Sequence, residues 1–138
     1  MPQPDNGGSL ENAMKLFVVE DNGKALQNLR DAMDALPTVE IVDVAATAEE
    51  ARAWLASHPD GWDVAVIDLF LAAGHGFEVL RHCRDRRPGQ HAVVLSNYTR
   101  DPVREHARLA GADAVFDKSF QLEDLVAWCG QVASADTA

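Results

Sequence analysis

The sequence predicts an α/β protein built on an open, doubly wound, five-stranded parallel sheet, (βα)5. Two observations support this fold class. Short apolar segments alternate five times with segments of helical periodicity, and the chain has 138 residues, enough for one domain. Alternating strands and helices are typical of parallel sheets with helices on both faces. An eightfold βα barrel needs about 250 residues, so an open sheet is the better prediction.

The first half of the chain contains three predicted strands and two predicted helices. Three short apolar runs rich in β-branched residues are predicted strands, at residues 15–20, 39–45 and 64–67. Residues 23–36 carry apolar side chains at helical spacing, and Pro37 marks the end of that helix. Thr47, with Glu50 three residues later, has the pattern of a capping box at the start of the second helix.

The second half continues the alternation. A loop with two glycines leads into a third helix that carries Leu80, and residues 92–95 and 114–116 are predicted strands. Asp101-Pro102 has the pattern of an N-cap followed by proline at the first helical position. That fourth helix is predicted to end at Gly111, and the fifth begins near Leu122.

The predicted domain covers residues 14–133. Residues 1–13 are polar and rich in Pro, Asn and Gly, which predicts a disordered N-terminal tail, and residues 134–138 are predicted to fray. No apolar run approaches the roughly 20 residues of a transmembrane helix, and the first residues lack the apolar core of a signal peptide. We therefore expect a cytoplasmic protein.

Composition argues against several classes of function. The net charge of −10 disfavours a nucleic-acid-binding surface, which needs Lys and Arg for phosphate contacts. The only cysteines, Cys83 and Cys129, form no CxxC pair and fall in helical patterns, which predicts buried reduced thiols. The sequence contains neither GxxxxGK nor GxGxxG, so a glycine-rich phosphate loop is not expected.

Polar side chains follow four of the five predicted strands. The first strand ends in Glu20 and Asp21, the third is followed by Asp68, the fourth by Ser96, and Lys118 comes shortly after the fifth. Ligands of open α/β sheets bind beyond the carboxyl ends of the strands. Because parallel strands end at the same edge, we expect these five side chains to converge there.

Three carboxylates at one edge need a counter-charge. At about 5 Å and an effective dielectric near 20, each pair costs roughly 3 kcal/mol. A hard divalent cation with oxygen ligands offsets this cost, with Mg²⁺ the first choice and Mn²⁺ the alternative, and Lys118 neutralises one further charge. A carboxylate such as Asp68 can attack phosphorus and form an acyl phosphate, while Lys118 and the Ser96 hydroxyl contact the phosphoryl oxygens.

Four segments resemble the receiver domains of bacterial two-component response regulators. They are KLFVVEDN, VAVIDLFL with Gly76 eight residues after Asp68, VVLSNYT, and AGADAVFDKSF. The resemblance covers about residues 15–133 and implies a flavodoxin-like fold with strand order 2-1-3-4-5. It implies a phosphorylatable switch that promotes only its own phosphorylation and dephosphorylation. Its phosphoryl donor would be a histidine kinase or a histidine phosphotransfer protein.

The resemblance also implies a role for each residue of the predicted site. Asp68 matches the phosphoacceptor, Ser96 the switch hydroxyl, and Lys118 the lysine that contacts phosphoryl and carboxylate groups. The positions that match metal ligands are Glu20, Asp21, Asp68 and the backbone carbonyl of Phe70, with Asp21 the more direct of the acidic pair. The expected partners further include a downstream protein, but neither nucleic acid nor a membrane, and a homodimer through the last helices stays open.

The sequence departs from the family pattern at several positions around the site. Val115 stands three residues before the lysine, where the family commonly has an aromatic residue, and Tyr98 and Phe116 are the aromatic alternatives nearby. Ser119 replaces the usual proline after the lysine, so a cis peptide is not expected there. Phe70 and Tyr98 lie near the positions that, in the family, shape the access of water to the phosphoryl group, which predicts slow hydrolysis.

Three alternatives remain beside the phosphorylatable switch. The first is an interaction module of the same fold that works without phosphorylation, and the departures at Val115 and Ser119 favour it. The second is a phosphatase of the haloacid dehalogenase type, which needs a second aspartate where this chain has Phe70. The third, a flavodoxin, is disfavoured because the acidic pair after the first strand would repel an anionic cofactor.

Overall fold

A computed structural model of the chain describes residues 13–137, with side chains described through residue 134. The predicted N-terminal tail therefore lies, apart from Ala13, outside the described residues. Within the described range the chain forms five strands, five α-helices and one short 3-10 helix (Cys83–Asp85). In chain order, the strands and α-helices are β1 (Met14–Val19), α1 (Gly23–Met33), β2 (Val39–Ala45), α2 (Ala48–Ser57), β3 (Val64–Ile67), α3 (Gly76–His82), β4 (His91–Ser96), α4 (Val103–Leu109), β5 (Ala114–Asp117) and α5 (Leu122–Thr137).

All strand pairs of the sheet are parallel, and the strand order is β2-β1-β3-β4-β5. This confirms the predicted fold class and strand order. The three central strands, β1, β3 and β4, are almost completely buried, as expected for apolar runs covered on both faces. Strand order reverses between β1 and β3, and the carboxyl ends of these strands therefore flank the expected ligand position.

Two separate apolar layers cover the sheet. On one face, side chains of α2, α3 and α4 pack around Phe17, whose ring stacks on Trp54 with the centroids 4.1 Å apart. On the other face, α1 and α5 pack through Leu29 and Leu125, which are both buried. The two layers leave the carboxyl edge of the sheet as the place where polar side chains can gather.

Both cysteines are free and buried, as predicted. Cys83 lies under the end of α3, and Cys129 lies in α5. Burial raises the pKa of each thiol to about 12. The thiolate is the reactive form of cysteine, so neither side chain is suited to redox or nucleophilic chemistry at neutral pH.

Two predicted helix ends were wrong. Helix α1 ends at Met33 rather than at residue 36, because the chain tightens into turns in which the Ala35 and Leu36 N–H groups donate to carbonyls three residues earlier. Asp101 does not cap α4. As an N-cap, its side chain would accept a hydrogen bond from the Arg104 N–H, but this N–H donates to the carbonyl of Arg100. The Asp101–Pro102 peptide bond is cis, and the helix begins at Val103.

The strand boundaries agree with the prediction within one residue, and α4 ends at Leu109, two residues before the predicted end at Gly111. The peptide bond between Lys118 and Ser119 is not cis, as expected because position 119 is not a proline. Helix α5 continues to Thr137, four residues past the predicted end of the domain. Within residues 13–137, no helix combines the length and apolar character needed to cross a membrane.

Candidate functional site

The sheet register places Glu20 and Asp68 side by side. Val19 at the end of β1 is paired with Ile67 at the end of β3. Glu20 and Asp68 are the next residues on these two strands. The Glu20 N–H donates to the Ala45 carbonyl at 2.9 Å, and the Asp68 N–H donates to the Val19 carbonyl at 2.9 Å. Backbone hydrogen bonds of the sheet therefore position both residues, independently of any contact that their side chains make.

Glu20, Asp21 and Asp68 form one acidic pocket, in which a carboxylate oxygen from each residue lies within 4.8 Å of the others. Glu20 and Asp68 are buried, whereas Asp21 is exposed at the rim. The Asp21 carboxylate accepts a hydrogen bond from the Ala72 N–H at 2.6 Å, which ties the loop after β1 to the loop after β3. The structure thus brings together the three acidic residues that the sequence predicted.

Lys118 supplies positive charge to this pocket. Its Nζ lies 2.6 Å from Glu20 Oε1 and 3.0 Å from Asp68 Oδ2. Its backbone N–H donates to the Ser96 carbonyl at 2.9 Å, so the end of β4 positions the start of the lysine side chain. Burial lowers the pKa of Lys118, but its hydrogen bonds to Glu20 and Asp68 outweigh this and the pKa is raised. The ammonium group therefore stays charged throughout the physiological range.

The pocket still carries more negative than positive charge. Burial raises the pKa of Glu20, although the hydrogen bonds from Lys118 and from the Asn22 N–H oppose it. Three carboxylates facing one ammonium group leave a net negative site of oxygen ligands, which is the donor set that Mg²⁺ prefers. The residues present therefore fit the cation that the sequence predicted.

The predicted carbonyl ligand belongs to Phe70, which lies in the loop after β3. Its N–H donates to Asp68 Oδ1 at 3.3 Å, and Phe70 forms an isolated antiparallel bridge with His75. The loop therefore turns back on itself within hydrogen-bonding reach of Asp68. The role of the Phe70 carbonyl stays a prediction.

Gly76 allows this loop to close. A Cβ atom at position 76 would overlap the carbonyl oxygen of Asp68 and lie 2.8 Å from the Cα of Leu69. The Gly76 N–H donates to the Leu69 carbonyl at 2.8 Å. Only glycine permits this approach, so the sequence spacing between Asp68 and Gly76 has a steric cause.

Ser96 lies at the end of β4, on the neighbouring strand, and its side chain is completely buried. Its Oγ accepts a hydrogen bond from the Tyr98 N–H at 3.1 Å. A hydroxyl that accepts one bond keeps its own O–H as a donor. The structure therefore places Ser96 at the predicted strand end, and its contact with a phosphoryl oxygen stays a prediction.

Sequence reasoning missed a set of contacts that hold the loop after β4. The Thr99 hydroxyl donates to Asp117 Oδ2 at 3.0 Å, and Arg104 Nε donates to the Thr99 carbonyl at 2.9 Å. Asp117 Oδ1 also accepts from the Ser119 N–H at 2.8 Å. These contacts join residues up to 18 positions apart, so no local pattern could have revealed them.

Two aromatic rings meet above the edge of the sheet. Phe70 and Tyr98 are in edge-to-face contact with their centroids 4.7 Å apart, and both are exposed, Phe70 by 47% and Tyr98 by 60%. This contact joins the loops that follow Asp68 and Ser96. Phe116, the other aromatic near the lysine, is buried and packs edge-on against Trp128, so it is not available at the site.

Comparison with known proteins identifies the family to which the chain belongs. The family model for the response regulator receiver domain matches residues 16–129. The DNA-binding transcriptional activator DevR/DosR of Mycobacterium tuberculosis is 34% identical over 109 residues, 78% of this chain and 49% of that protein. The acid tolerance regulatory protein ActR of Rhizobium meliloti is 30% identical over 112 residues, 81% of this chain and 56% of that protein.

The fold has close counterparts among solved structures. The response regulator domain of Thermotoga maritima CheB superposes with a TM-score of 0.76 at 19% identity, over 88% of this chain and 97% of that one. At this identity the likeness concerns the fold alone. The chain spans about half the length of the curated relatives that it matches.

Proposed function

The chain belongs to the response regulator receiver domain family, and from this premise we propose that it is a signalling switch that accepts a phosphoryl group on Asp68. The observation that carries the proposal is the contact between Lys118 and Asp68, at 3.0 Å, within a pocket of three carboxylates. A structural role alone gives no reason to hold mutually repelling carboxylates at a buried strand end.

The chemistry is the transfer of a phosphoryl group to a carboxylate. One carboxylate oxygen of Asp68 forms a bond to phosphorus while the bond between phosphorus and the donor's histidine nitrogen breaks, and the imidazole leaves after taking up a proton. Lys118 neutralises the carboxylate and then holds a phosphoryl oxygen. The Ser96 O–H donates to another phosphoryl oxygen once its side chain turns toward the site.

The predicted metal ligands are Glu20, Asp21, Asp68 and the Phe70 carbonyl. A divalent cation bound there supplies positive charge that stabilises the phosphoryl oxygens. Asp21 has the rim position for this role, because it is exposed and makes no contact with Lys118 among the described contacts. Glu20 is buried against the lysine, so it orients Lys118 as well as contributing charge.

The proposed donor is a histidine kinase or a histidine phosphotransfer protein, and the proposed receiver of the signal is a downstream protein. The relative DevR/DosR is described as a DNA-binding transcriptional activator, and the match covers 49% of it. We propose that the receiver domain itself makes no direct contact with nucleic acid, in keeping with its net charge of −10.

Intact-mass measurement after incubation with acetyl phosphate tests the proposal. We expect an adduct of about 80 Da that requires Mg²⁺, is removed by neutral hydroxylamine as an acyl phosphate, and is absent in Asp68→Asn. The exposed Asp85→Asn variant is the matched control and should be labelled like the wild type. If neither acetyl phosphate nor a histidine phosphotransfer donor labels Asp68, and Mg²⁺ leaves thermal unfolding unchanged, the phosphate-independent interaction module replaces this proposal.

A further inference from the structure

Positive charge is concentrated in one part of this acidic protein. Residues 81–108 contain seven of the 12 Lys and Arg residues but only three of the 22 Asp and Glu residues. This segment includes the end of α3, all of β4, and α4 almost to its end. Of residues 81–108, the proposed phosphoryl transfer uses only Ser96, so it does not account for the positive charge of this segment.

A groove lies between α3 and α4 on this basic part of the surface. Its volume is about 370 Å³, and its apolar lining includes Phe77 and Leu109. Leu109 is 58% exposed, although it belongs to a helix whose other apolar side chains pack toward the sheet. An exposed leucine beside a partly buried aromatic ring forms an apolar surface that a partner could bury away from water.

Arginine side chains line the same groove. Arg81 and Arg84 make no ion pair with a carboxylate anywhere in the described part of the chain. By contrast, Arg86 pairs with Asp113 and Arg108 pairs with Glu105. The aliphatic part of Arg84 lies against Gly111, where an added Cβ would be 3.1 Å from Arg84 Cγ. The groove therefore presents two unpaired guanidinium groups, one of them with its stem packed in place.

Two histidines complete the lining, one at each helix. His75 stands at the start of α3, and its Nε2 lies 3.7 Å from Glu78 Oε1. His106 lies in α4 next to Glu105, whose carboxylate is already bonded to Arg108. Glu78 and Glu105 are thus engaged with side chains of their own segments, and the described lining of the groove contains two arginines but no aspartate or glutamate.

We propose that this groove docks an acidic protein segment that carries apolar side chains, such as one face of an acidic amphipathic helix. The partner's carboxylates would pair with Arg81 and Arg84, while its apolar side chains would contact Leu109 and Phe77. This combination favours a protein over nucleic acid, because phosphates gain nothing from the apolar lining. Helices α3 and α4 follow the loops that begin at Asp68 and Ser96, so they connect the groove to the phosphoacceptor site along the chain. A coupling between docking and phosphorylation rests on the proposed function, whereas docking itself does not.

The probe is a fluorescein-labelled synthetic helix in which leucines at i, i+3 and i+7 alternate with glutamates. Fluorescence anisotropy should detect binding to the full chain, with backbone amide shifts in α3 and α4 in NMR spectra. The double variant Arg81→Glu/Arg84→Glu should weaken binding about tenfold or more. Arg30→Glu/Arg52→Glu, which makes the same charge change at exposed positions outside the groove, should change it less than twofold.

A second pair of variants separates apolar contact from charge. Leu109→Ser should weaken binding severalfold, whereas Phe120→Ser, at a residue that is 86% exposed but outside the groove, should not. Both substitutions are at exposed positions and should leave folding intact. The proposal is overturned if the probe does not bind, if a peptide with the same composition and scrambled leucines binds equally well, or if a DNA duplex of matched charge binds more tightly. Because binding is measured without phosphorylation, its failure and a failure of Asp68 labelling are distinguishable.

Discussion

The acidic pocket and the loop after β4 share one edge of the sheet but are built differently. The pocket residues Glu20 and Asp68 continue the central strands, and backbone hydrogen bonds of the ladder fix them. The loop at residues 97–102 is largely exposed, and side-chain contacts such as Thr99–Asp117 hold it. Backbone pairing therefore determines where the charged residues Glu20 and Asp68 lie, whereas the position of the loop after β4 depends on a few side-chain contacts.

The largest effect is expected from Gly76→Ala, which disturbs the backbone next to Asp68. The added Cβ overlaps the Asp68 carbonyl, so the loop after β3 must move and the free energy of unfolding should fall by about 3 kcal/mol. Chemical denaturation measures this change. Gly130→Ala is the control, because its Cβ meets only ordinary contact 3.6 Å from Leu36 and replaces a helical glycine; it should be neutral or stabilise by up to about 1 kcal/mol. Equal free energies of unfolding for the two variants would show that the close approach of Gly76 to the Asp68 carbonyl does not require glycine.

Lys118→Met is expected to have the next largest effect. It leaves the buried carboxylates of Glu20 and Asp68 without their counter-charge, which should cost about 2–3 kcal/mol at pH 7. Lys24→Met, at an exposed lysine of α1, should cost less than about 0.5 kcal/mol. Urea denaturation of both variants provides the measurement.

The cost of Lys118→Met should also depend on pH. Burial raises the folded-state pKa of Glu20 above its usual value of 4.5, so the stability that Glu20 contributes is full below pH 4.5 and is lost as the pH rises through the raised pKa. Once the Glu20 carboxyl is protonated, it no longer needs the positive charge of Lys118 beside it. The stability difference between wild type and Lys118→Met should therefore shrink as the pH falls from 7 toward 4, and a difference that is constant over this range would show that the lysine acts by packing alone.

These two regions also differ in how far their structure could be predicted. The pocket follows from strand ends, because burial on both faces makes each strand a continuous apolar run that stops at the first charged residue, as at Asp68. The loop does not, because Asp101 was predicted as a helix cap from a dipeptide pattern, while the observed start of α4 depends on the Arg104 N–H bonding to Arg100. Contacts such as Thr99–Asp117 depend on the tertiary arrangement of β4 and β5, which local sequence does not encode.

Magnesium should stabilise the protein through the rim of the pocket. At a Mg²⁺ concentration about tenfold above the dissociation constant, the free energy of unfolding should rise by about 1.4 kcal/mol. Asp21→Asn keeps an oxygen acceptor for the Ala72 N–H but removes the exposed charge, so it should lose most of this gain. Asp34→Asn, at an exposed carboxylate outside the pocket, should retain it. Thermal unfolding with and without Mg²⁺ distinguishes these outcomes, and an unchanged gain in Asp21→Asn would remove that residue from the metal site.

The smallest effect is expected where the two regions meet, at the ring pair of Phe70 and Tyr98. The rings touch with their centroids 4.7 Å apart and join the loops that follow Asp68 and Ser96. We propose that they restrict the access of water to a phosphoryl group on Asp68. Tyr98→Ala opens that access and should shorten the lifetime of the phosphoryl group about threefold, roughly 0.65 kcal/mol in the barrier. Loss of label from purified phosphoprotein provides the measurement.

Two further variants decide whether shape or polarity at the ring pair sets this lifetime. Tyr98→Phe keeps the ring and should keep the slow rate, and Phe120→Ala, at an exposed ring outside the pair, should not change it. A fast rate in Tyr98→Phe would assign the effect to the hydroxyl instead of to excluded volume. Unchanged hydrolysis in both Tyr98→Ala and Phe70→Ala would mean that the ring pair does not control hydrolysis, and that the acidic pocket alone determines the lifetime of the phosphoryl group.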